Sequence, residues 1–431
     1  MLPRNLPRGA APDTVAREIC AIEGNQYRRG RREAETMKVA VASAGRFHAF
    51  DLARQMERLG HLGRLYTAYP RFKVDGLPGA KVSTFPWLAG PATLAGRFGF
   101  PGLRDRLNLA TIESFDRWMA ARLDQCDVFH CLSSFGFESH RAARARHGAF
   151  TVCDRGSSHI RFQEQILREE YARSDLPFPG IDARIVEREL AEYEFCDLIS
   201  VPSSFAMRSF IEQGIAREKL QLNPYGVDLA MFHPTLKRDS VFRVLFVGSI
   251  SIRKGVVYLL EAIKRASITK LELVLIGHMN PDAKRIIDSY GVALRHLGVL
   301  SRAQLAVHYS QASVMVLPSL EEGLALVQAQ AMACGIPVVA TTNTGAEDLF
   351  TDGIEGFIVP IRDPDSIAAK LVYLYEHPEV RDAMGAAALA RVRAIGGWNN
   401  YGEKMATMYQ SALAGRSEKN GGLVTNGSSD A

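Results

Sequence analysis

The sequence lacks the features that mark membrane-spanning, secreted and zinc-binding proteins. No apolar stretch approaches the roughly 18 residues that a membrane-spanning helix needs. The N-terminal stretch is polar and rich in arginine, so we do not expect a secretory signal. The six cysteines form no C-x-x-C pair and no cluster with histidine at zinc spacing. This pattern predicts reduced thiols, no metal site and a cytoplasmic location.

A strong charge of one sign is also absent. The 52 lysines and arginines nearly balance the 47 aspartates and glutamates, which leaves a net charge of +5. This excess is too weak to indicate a nucleic-acid partner, but it is compatible with an anionic substrate or membrane surface. With 47% hydrophobic and 23% charged residues, the composition is that of an ordinary globular protein. At 431 residues, two domains are expected.

The order of hydrophobic patterns divides the chain into five segments. Short β-branched runs alternate with amphipathic helices through most of its length, which is typical of parallel α/β domains. The predicted segments are a loose extension (1–36), an N-terminal α/β domain (37–228), a C-terminal α/β domain (229–397), a helix packing back on the N-terminal domain (398–414) and a disordered tail (415–431).

The second half has the clearer pattern. Its β-branched runs alternate regularly with helical stretches such as VVYLLEAIKRA and PDSIAAKLVYLYE. The runs are FRVLFVG, LELVLIG, VMVLPS, IPVVAT and GFIVP. This alternation predicts a doubly wound parallel sheet, whose ligands bind beyond the carboxyl ends of its strands.

The first candidate site follows the strand that ends at Gly248. A short loop carries Arg253 and Lys254 to Gly255, where a helix begins. Backbone N–H groups, the helix dipole and a neighbouring cation all favour an anion at such a helix start. The alternative interpretation is a solvated Arg-Lys pair in an ordinary turn.

The second candidate site follows the strand that ends at Pro318. Glu322 and Gly323 occupy the loop, and Gln330 follows eight residues after Glu322. At 1.5 Å per residue, a helix over this stretch separates the two side chains by about 12 Å. A nucleotide sugar lying along this helix would place its hexose near Glu322 and its ribose near Gln330, with the diphosphate between them at the helix N-terminus. The alternatives are a solvated glutamate and a buried glutamine bonded to a neighbouring loop.

Taken in order, these motifs resemble the second domain of the family 4 (group 1) glycosyltransferases. That family has the α/β GT-B fold, in which two Rossmann-like domains with doubly wound parallel sheets face a central cleft. The matching residues are Gly248, Lys254-Gly255, Pro318-Ser319, Glu322-Gly323, Ala331-Met332-Ala333-Cys334-Gly335 and Pro337-Val338-Val339. The resemblance is good over roughly residues 183 to 412 and only general in the N-terminal half.

The resemblance implies a Rossmann-like acceptor domain over residues 37–228 and a Rossmann-like nucleotide-sugar-binding domain over residues 229–397. It also implies roles for residues in the second domain. Lys254 and Gly248 bind the donor diphosphate, and Arg253 supplies the charge of a family arginine that is Ser249 here. Glu322 holds a donor sugar hydroxyl, and Gln330, a glutamate in the family, holds the ribose. The backbone of Gly323, Leu324 and Ala325 faces the phosphate and the sugar, where the family has Gly-Phe-Gly.

The resemblance also implies roles in the first domain. In the family, a polar residue after the strand that matches AFTVC approaches the donor sugar, and His159 is the first candidate and Asp154 the second. A histidine in such a loop is also common as a surface residue. Gly45 matches the glycine loop near the diphosphate, and His48 begins the next helix, lining the cleft or exposed to solvent.

The expected activity is a retaining, metal-independent transfer of a hexose to a glycan or lipid-linked acceptor. The nucleoside diphosphate sugar is the co-substrate, and no cofactor is expected. Asp363-Pro364-Asp365 matches a metal-binding D-x-D motif but is interpreted as a helix start. An epimerase or phosphorylase is disfavoured by the Glu322–Gln330 motif. A non-catalytic nucleotide-sugar-binding or scaffolding protein of the same fold remains the alternative.

Contact with the inner membrane surface is a further hypothesis. Arg141, Arg144 and Arg146 form a basic cluster, and the region of Trp87, Phe98 and Phe100 is rich in aromatic residues. Such surfaces bind anionic lipid in some proteins, although a basic cluster is usually a solvated helix face.

Overall fold

The computed structural model describes residues 37–85 and 101–421, with the backbone alone for residues 101–106 and 417–421. The predicted extension (1–36), the aromatic positions Trp87, Phe98 and Phe100, and residues 422–431 of the predicted tail lie outside the described residues.

A parallel sheet forms the centre of the first half. Its strands, in the described residues, are β1 (Val39–Ser43), β2 (Leu62–Thr67), β3 (Val82–Thr84), β4 (Val128–Leu132), β5 (Phe150–Asp154), β6 (Leu198–Val201) and β7 (Leu220–Leu222). They pair in the order β3-β2-β1-β4-β5-β6-β7. Every residue of β1, β4 and β5 is buried, as expected for parallel strands that are covered on both faces.

Helices connect these strands. They are α1 (His48–Arg58), α2 (Pro101–Arg122), α3 (Phe137–His147), α4 (Ile160–Arg173), α5 (Ala183–Phe195) and α6 (Ser204–Glu212). The side chains of Asp182 and Ser203 cap the N-termini of α5 and α6 by accepting backbone N–H hydrogen bonds.

A second parallel sheet forms the centre of the other half. Its strands in the described chain are β8 (Phe242–Val247), β9 (Leu271–Ile276), β10 (Arg295–His296), β11 (Val314–Leu317), β12 (Val338–Thr341) and β13 (Gly356–Val359). They pair in the order β10-β9-β8-β11-β12-β13. Its helices are α7 (Val256–Ala266), α8 (Pro281–Tyr290), α9 (Arg302–Gln311), α10 (Leu326–Ala333), α11 (Ala346–Leu349), α12 (Pro364–Glu376) and α13 (Pro378–Ile395).

The strand order determines where ligands can bind. In the second sheet the chain proceeds outward from β8 to β9 and later returns to place β11 on the other side of β8. The loops that follow β8 and β11 therefore lie side by side at a topological switch point, the usual ligand position in open parallel sheets. The first sheet has the same arrangement at β1 and β4.

The last helix, α14 (Trp398–Gly421), returns to the first half of the molecule. Arg58 of α1 lies 2.9 Å from Glu403, and the Tyr409 hydroxyl lies 2.8 Å from His130 Nδ1. The helix extends past residue 414, where a disordered tail was predicted to begin, so residues 415–421 of that tail are helical. None of the helices in residues 37–85 and 101–421 is long and apolar enough to cross a membrane.

The cysteines in the described chain are free and buried, at positions Cys126, Cys131, Cys153, Cys196 and Cys334.

The two connections between the halves touch at Gly226. A Cβ atom at this position would lie 2.5 Å from Gly397 C and from Trp398 N, where the chain returns to α14. The adjacent Val227 forms a parallel bridge with Gly397. Any side chain at position 226 would therefore separate the two crossing backbones.

We expect Gly226→Ala to lower the free energy of unfolding by about 1–3 kcal/mol, because backbone atoms occupy the space that the methyl group needs. Gly415→Ala is the matched control, since it lies in α14 with no heavy atom within 4 Å of its Cβ position. Alanine there should stabilise the helix by up to about 1 kcal/mol. The free energy of unfolding measured by calorimetry should therefore be higher for Gly415→Ala than for the wild type and lower for Gly226→Ala. Any other order contradicts the contact described at Gly226.

Candidate functional site

The loop between β8 and α7 forms a cradle at the switch point of the second sheet. Gly248 adopts a φ of 143°, and a Cβ there would lie 4.0 Å from Lys254 Nζ, so the ammonium sits over the Gly248 backbone. Gly255 caps α7 with a φ of 66°, and its Cβ would lie 1.9 Å from the Pro318 carbonyl oxygen. The loops after β8 and β11 are therefore in backbone contact, with a lysine at a helix start.

Glu322 pairs with this lysine. Its carboxylate forms an ion pair with Lys254 Nζ and lies 3.5 Å from Arg253 NH1. The side chains of Glu322 and Lys254 are each only 11% exposed. Their mutual attraction is therefore weakly screened, and the structure brings together Gly248, Arg253, Lys254 and Glu322 as expected.

Arg253 is shared between two glutamates. Its NH1 donates to the Glu321 carboxylate at 3.1 Å and to the Glu321 carbonyl at 3.0 Å. Its guanidinium is thus fixed by the loop after β11 and is less available to a ligand than the Lys254 ammonium.

Gly323 contacts the other half of the molecule. A Cβ there would lie 2.2 Å from the Gly156 carbonyl oxygen and 2.9 Å from Pro202 Cγ. The Ser203 hydroxyl donates to the Gly323 carbonyl at 2.5 Å. Backbone of the N-terminal half therefore occupies the space beside Gly323, and the contact of the Gly323 backbone with phosphate and sugar stays a prediction. Leu324 and Ala325 are also buried.

Gln330 lies on the second turn of α10, with its side chain partly exposed. Its Oε1 accepts a hydrogen bond from the Tyr309 hydroxyl at 3.0 Å. Among the described residues, none accepts a hydrogen bond from its Nε2, which leaves two N–H donors for a ligand. Because α10 begins at Leu326, Glu322 precedes the helix, so the helical spacing of 12 Å predicted between them does not apply.

Asp154 is the centre of a buried polar cluster in the N-terminal half. Its Oδ2 lies 2.5 Å from His48 Nε2 and 3.1 Å from His130 Nε2. His48 also stacks on Tyr225, with ring centroids 4.2 Å apart. Burial alone would raise the pKa of the Asp154 carboxyl, but the two histidines outweigh it and hold this pKa well below its usual range. Asp154 is therefore an ionised anchor for two histidines.

His48 lies close to the boundary between the halves. A Cβ at Gly156, the residue that touches Gly323, would lie 3.2 Å from His48 Cε1 and 3.8 Å from His48 Nδ1. Of the two positions left open for His48, the structure supports the one that lines the boundary, since the residue is buried.

The placement predicted for His159 is corrected. Its ring is buried and packs between Tyr193 and Phe210, with centroid distances of 5.2 and 4.9 Å. Its Nδ1 accepts from the Arg161 backbone N–H, so the residue caps α4. Burial, together with the charges of Arg155 and Arg161, lowers the pKa of His159 to about 4. The side chain serves the core and the helix start.

Gly45 and the Asp363-Pro364-Asp365 motif complete the predicted set. Gly45 lies in the turn between β1 and α1, where its carbonyl accepts from the Ser43 hydroxyl at 2.9 Å. The three atoms nearest to a Cβ at Gly45 belong to the Phe47 ring, and its place near the diphosphate stays a prediction. The Asp363 side chain caps α12, as expected, and Asp365 pairs with Arg265 at 2.7 Å.

Glu321 is the residue that sequence reasoning missed. It is fully buried and accepts hydrogen bonds from Ser157, Ser158 and Gln163 of the N-terminal half. The one available signal was a second carboxylate beside Glu322. Nothing in the local sequence indicates that the two side chains point to different partners.

Two family models match the chain one after the other. The model described as Glycosyltransferase Family 4 covers residues 46–231, and the model described as Glycosyl transferases group 1 covers residues 230–391. Their junction falls in the connection between the two sheets.

Curated relatives share about 29% identity. A D-inositol 3-phosphate glycosyltransferase from Paenarthrobacter aurescens is 29% identical over 221 residues, or 47% of this chain and 54% of that protein. An MMP alpha-(1->4)-mannosyltransferase from Mycolicibacterium hassiacum is 29% identical over 226 residues, or 51% of this chain and 54% of that protein. The chain thus spans about half the length of these relatives.

Solved structures share the fold at lower identity. Sucrose-phosphate synthase from Thermosynechococcus elongatus has a TM-score of 0.69 at 22% identity, covering 88% of this chain and 100% of that one. Anabaena HepE in complex with UDP-glucose has a TM-score of 0.64 at 15% identity, covering 87% and 100%. With its two parallel sheets and the consecutive family matches, the chain belongs to the family 4 (group 1) glycosyltransferases and has the GT-B fold.

Proposed function

We propose that the protein transfers a hexose from a nucleoside diphosphate sugar to a hydroxyl group of a glycan or lipid-linked acceptor. The observation that carries this proposal is the buried pair of Lys254 and Glu322 over Gly248, at the switch point of the second sheet. An ammonium at a helix start suits a diphosphate, and a carboxylate beside it suits sugar hydroxyls. A nucleoside diphosphate sugar carries a diphosphate that can bind Lys254 and hydroxyl groups that can donate to Glu322.

In this proposal, the enzyme accelerates the reaction mainly by stabilising the leaving diphosphate. Negative charge develops on its oxygen as the bond to the anomeric carbon breaks. Lys254 and the N–H groups at the start of α7 stabilise that charge in a water-poor site. We propose that these groups act in place of a metal ion, since Asp363 and Asp365 are engaged as a helix cap and in an ion pair. Family membership favours retention of anomeric configuration.

The acceptor side of the cleft is assigned to the N-terminal half. His48 is held by the ionised Asp154 through Nε2, which directs its Nδ1 edge toward Gly156 and the loop after β11 (residues 318–325), named the donor loop below. An imidazole fixed in this way can orient an acceptor hydroxyl by hydrogen bonding. Asp154 acts through His48 in this assignment, and His159 has no direct part.

The relatives support a nucleotide sugar as co-substrate. HepE has been crystallised with UDP and with UDP-glucose, and two curated relatives are named as a glycosyltransferase and a mannosyltransferase. UDP sugars are therefore the first donors to test, and GDP sugars extend the panel to a second base. The decisive experiment measures release of nucleoside diphosphate from such a panel, with and without acceptors. Release from none of them would refute the proposal.

A non-catalytic nucleotide-sugar-binding protein is the second candidate. It is favoured by the mutual neutralisation of Lys254 and Glu322 and by glutamine at position 330. The same experiment separates the two functions. A binder stabilises thermally with a nucleotide sugar but releases no nucleotide from it.

Lys254→Ala should weaken UDP binding by roughly 10–100-fold, because it removes one charge-assisted hydrogen bond that contributes about 1.5–3 kcal/mol. Binding of uridine, which lacks the diphosphate, should change little. Calorimetric titration of both ligands into wild type and variant measures the difference. Lys270→Ala, an exposed lysine outside the cradle, is the control. Equal losses for uridine and UDP would remove Lys254 from the diphosphate site.

Gln330→Ala should raise the donor KM several-fold while kcat stays nearly constant. A ribose contact remote from the reacting bond is about as strong in the ground state as in the transition state. Gln330→Glu should remain active, because a carboxylate retains the acceptor for the Tyr309 hydroxyl and can also accept from ribose hydroxyls. Steady-state kinetics over a range of donor concentrations checks both, and a fall in kcat at constant KM would contradict the ribose role.

His159→Asn should retain activity, because asparagine can still cap α4 and the ring contacts only core residues. The substitution should also change the pH dependence of stability. Between pH 6.5 and about 4 the unfolded wild type binds a proton at this histidine that the folded protein does not, so its stability falls as the pH falls. Asparagine removes that contribution.

Denaturation experiments should therefore show that the free energy of unfolding decreases less from pH 7 to pH 5 for His159→Asn than for the wild type. The lost ring lowers the stability of the variant at both pH values. A folded variant with more than tenfold lower activity would return His159 to the active site.

A further inference from the structure

Glu321 connects the two halves of the molecule at the donor site. It follows β11, one residue before Glu322, and its side chain is fully buried. Its carboxylate accepts from Ser157 Oγ at 2.5 Å, Ser158 N at 2.9 Å, Ser158 Oγ at 2.7 Å and Gln163 Nε2 at 2.9 Å. All four donors belong to the loop after β5 or to the first turn of α4. One carboxylate thus accepts four hydrogen bonds that join the N-terminal half to the donor loop.

The same carboxylate is tied to the cradle. Arg253 NH1 donates to it at 3.1 Å while lying 3.5 Å from Glu322, which in turn pairs with Lys254. Two carboxylates and two cations therefore balance each other before any ligand arrives. Burial alone would raise the pKa of Glu321, but Arg253 and the serine donors lower it to about 2, so the group is ionised at neutral pH.

Other carboxylates cross the same boundary without this link. Glu170 is buried, accepts from the Tyr258 hydroxyl at 2.6 Å and from Arg362 Nε at 2.8 Å. Asp348 accepts from the Ser204 hydroxyl at 2.6 Å. Neither bonds to Arg253 or Lys254 in the described chain. Glu321 is thus distinguished by joining an interdomain contact to a cation of the cradle.

We propose that Glu321 is a positioning residue that links donor binding to the fit between the two domains. It holds the loop from Arg155 to Ser158 beside the donor loop and keeps Arg253 partly neutralised. An incoming diphosphate must compete with Glu321 for Arg253. The residue therefore limits the affinity for the diphosphate while maintaining the arrangement that transfer needs. This inference rests on the proposed function.

The isosteric variant Glu321→Gln separates these two effects. Without the negative charge, Arg253 attracts a diphosphate more strongly, so UDP or GDP, whichever the wild type binds better, should bind roughly three- to tenfold more tightly. Because the serine donors lose an ionised acceptor, the Ser158 amide should exchange hydrogen faster. Because the loop from Arg155 to Ser158 is then held less firmly beside the donor loop, kcat should fall more than tenfold. A merely structural role predicts weaker nucleotide binding together with lower activity.

Two further variants serve as controls. Glu170→Gln removes a charge from the same boundary away from the cradle, and should leave the nucleotide affinity and Ser158 exchange unchanged. Glu321→Asp retains the charge, so its nucleotide affinity should stay near that of the wild type while kcat falls less than in the glutamine variant. Calorimetry, hydrogen exchange and steady-state kinetics on the full chain give the readouts.

Several results would overturn the proposal. Unchanged or weaker nucleotide binding by Glu321→Gln contradicts the competition for Arg253, and unchanged Ser158 exchange contradicts the interdomain contact. A wild type that binds neither UDP nor GDP refutes the proposed function, and with it the link to the donor. The exchange comparison between Glu321→Gln and Glu170→Gln would then still decide whether Glu321 holds the two halves together.

Discussion

Two adjacent buried carboxylates, Glu321 and Glu322, impose the strictest constraint on this structure. Removing a carboxylate from water costs several kcal/mol unless cations and hydrogen-bond donors replace the lost solvent. Arg253 and Lys254 supply the cations, which requires the loop after β8 to lie directly against the loop after β11. The backbone contact between Gly255 and Pro318 meets that requirement. The remaining donors come from the N-terminal half, so the charge balance of one loop also fixes the contact between the domains.

The same physical rule organises the N-terminal half around Asp154. This carboxylate is almost wholly buried and is satisfied by His48 and His130. His130 is bonded in turn to Tyr409, which lies on α14 at the far end of the sequence. The C-terminal helix therefore contributes to the orientation of a residue at the cleft. Its return to the first domain therefore completes this buried cluster, with Tyr409 linked to His48 through His130 and Asp154.

Local patterns predicted the regular elements well, and three-dimensional contacts decided the rest. The bounds of α7 and α12 agree with their apolar periodicity. The bounds of β8 (242–247) agree with the β-branched run in its sequence. The short strands β3 and β7, three residues each, gave no signal that separates them from loops. His159 was misplaced because a strand-end loop can turn its side chain into the cleft or into the core, and only packing against Tyr193 and Phe210 decides.

The charge balance at the cradle also bears on which ligand the site favours. If the proposed function holds, Arg253 replaces only in part the arginine expected at Ser249 from the family resemblance, because two glutamates already share it. If a free diphosphate binds Lys254, the buried Glu322 carboxylate keeps only the more distant Arg253 as a cation. This cost weakens the binding of the free diphosphate. A complete nucleotide sugar compensates for that loss, since its hydroxyl groups can donate to Glu322 as the lysine turns to the phosphate. Under the proposed function, the pairing of Lys254 with Glu322 therefore favours the donor over the nucleotide that remains after transfer, which would promote release of that product.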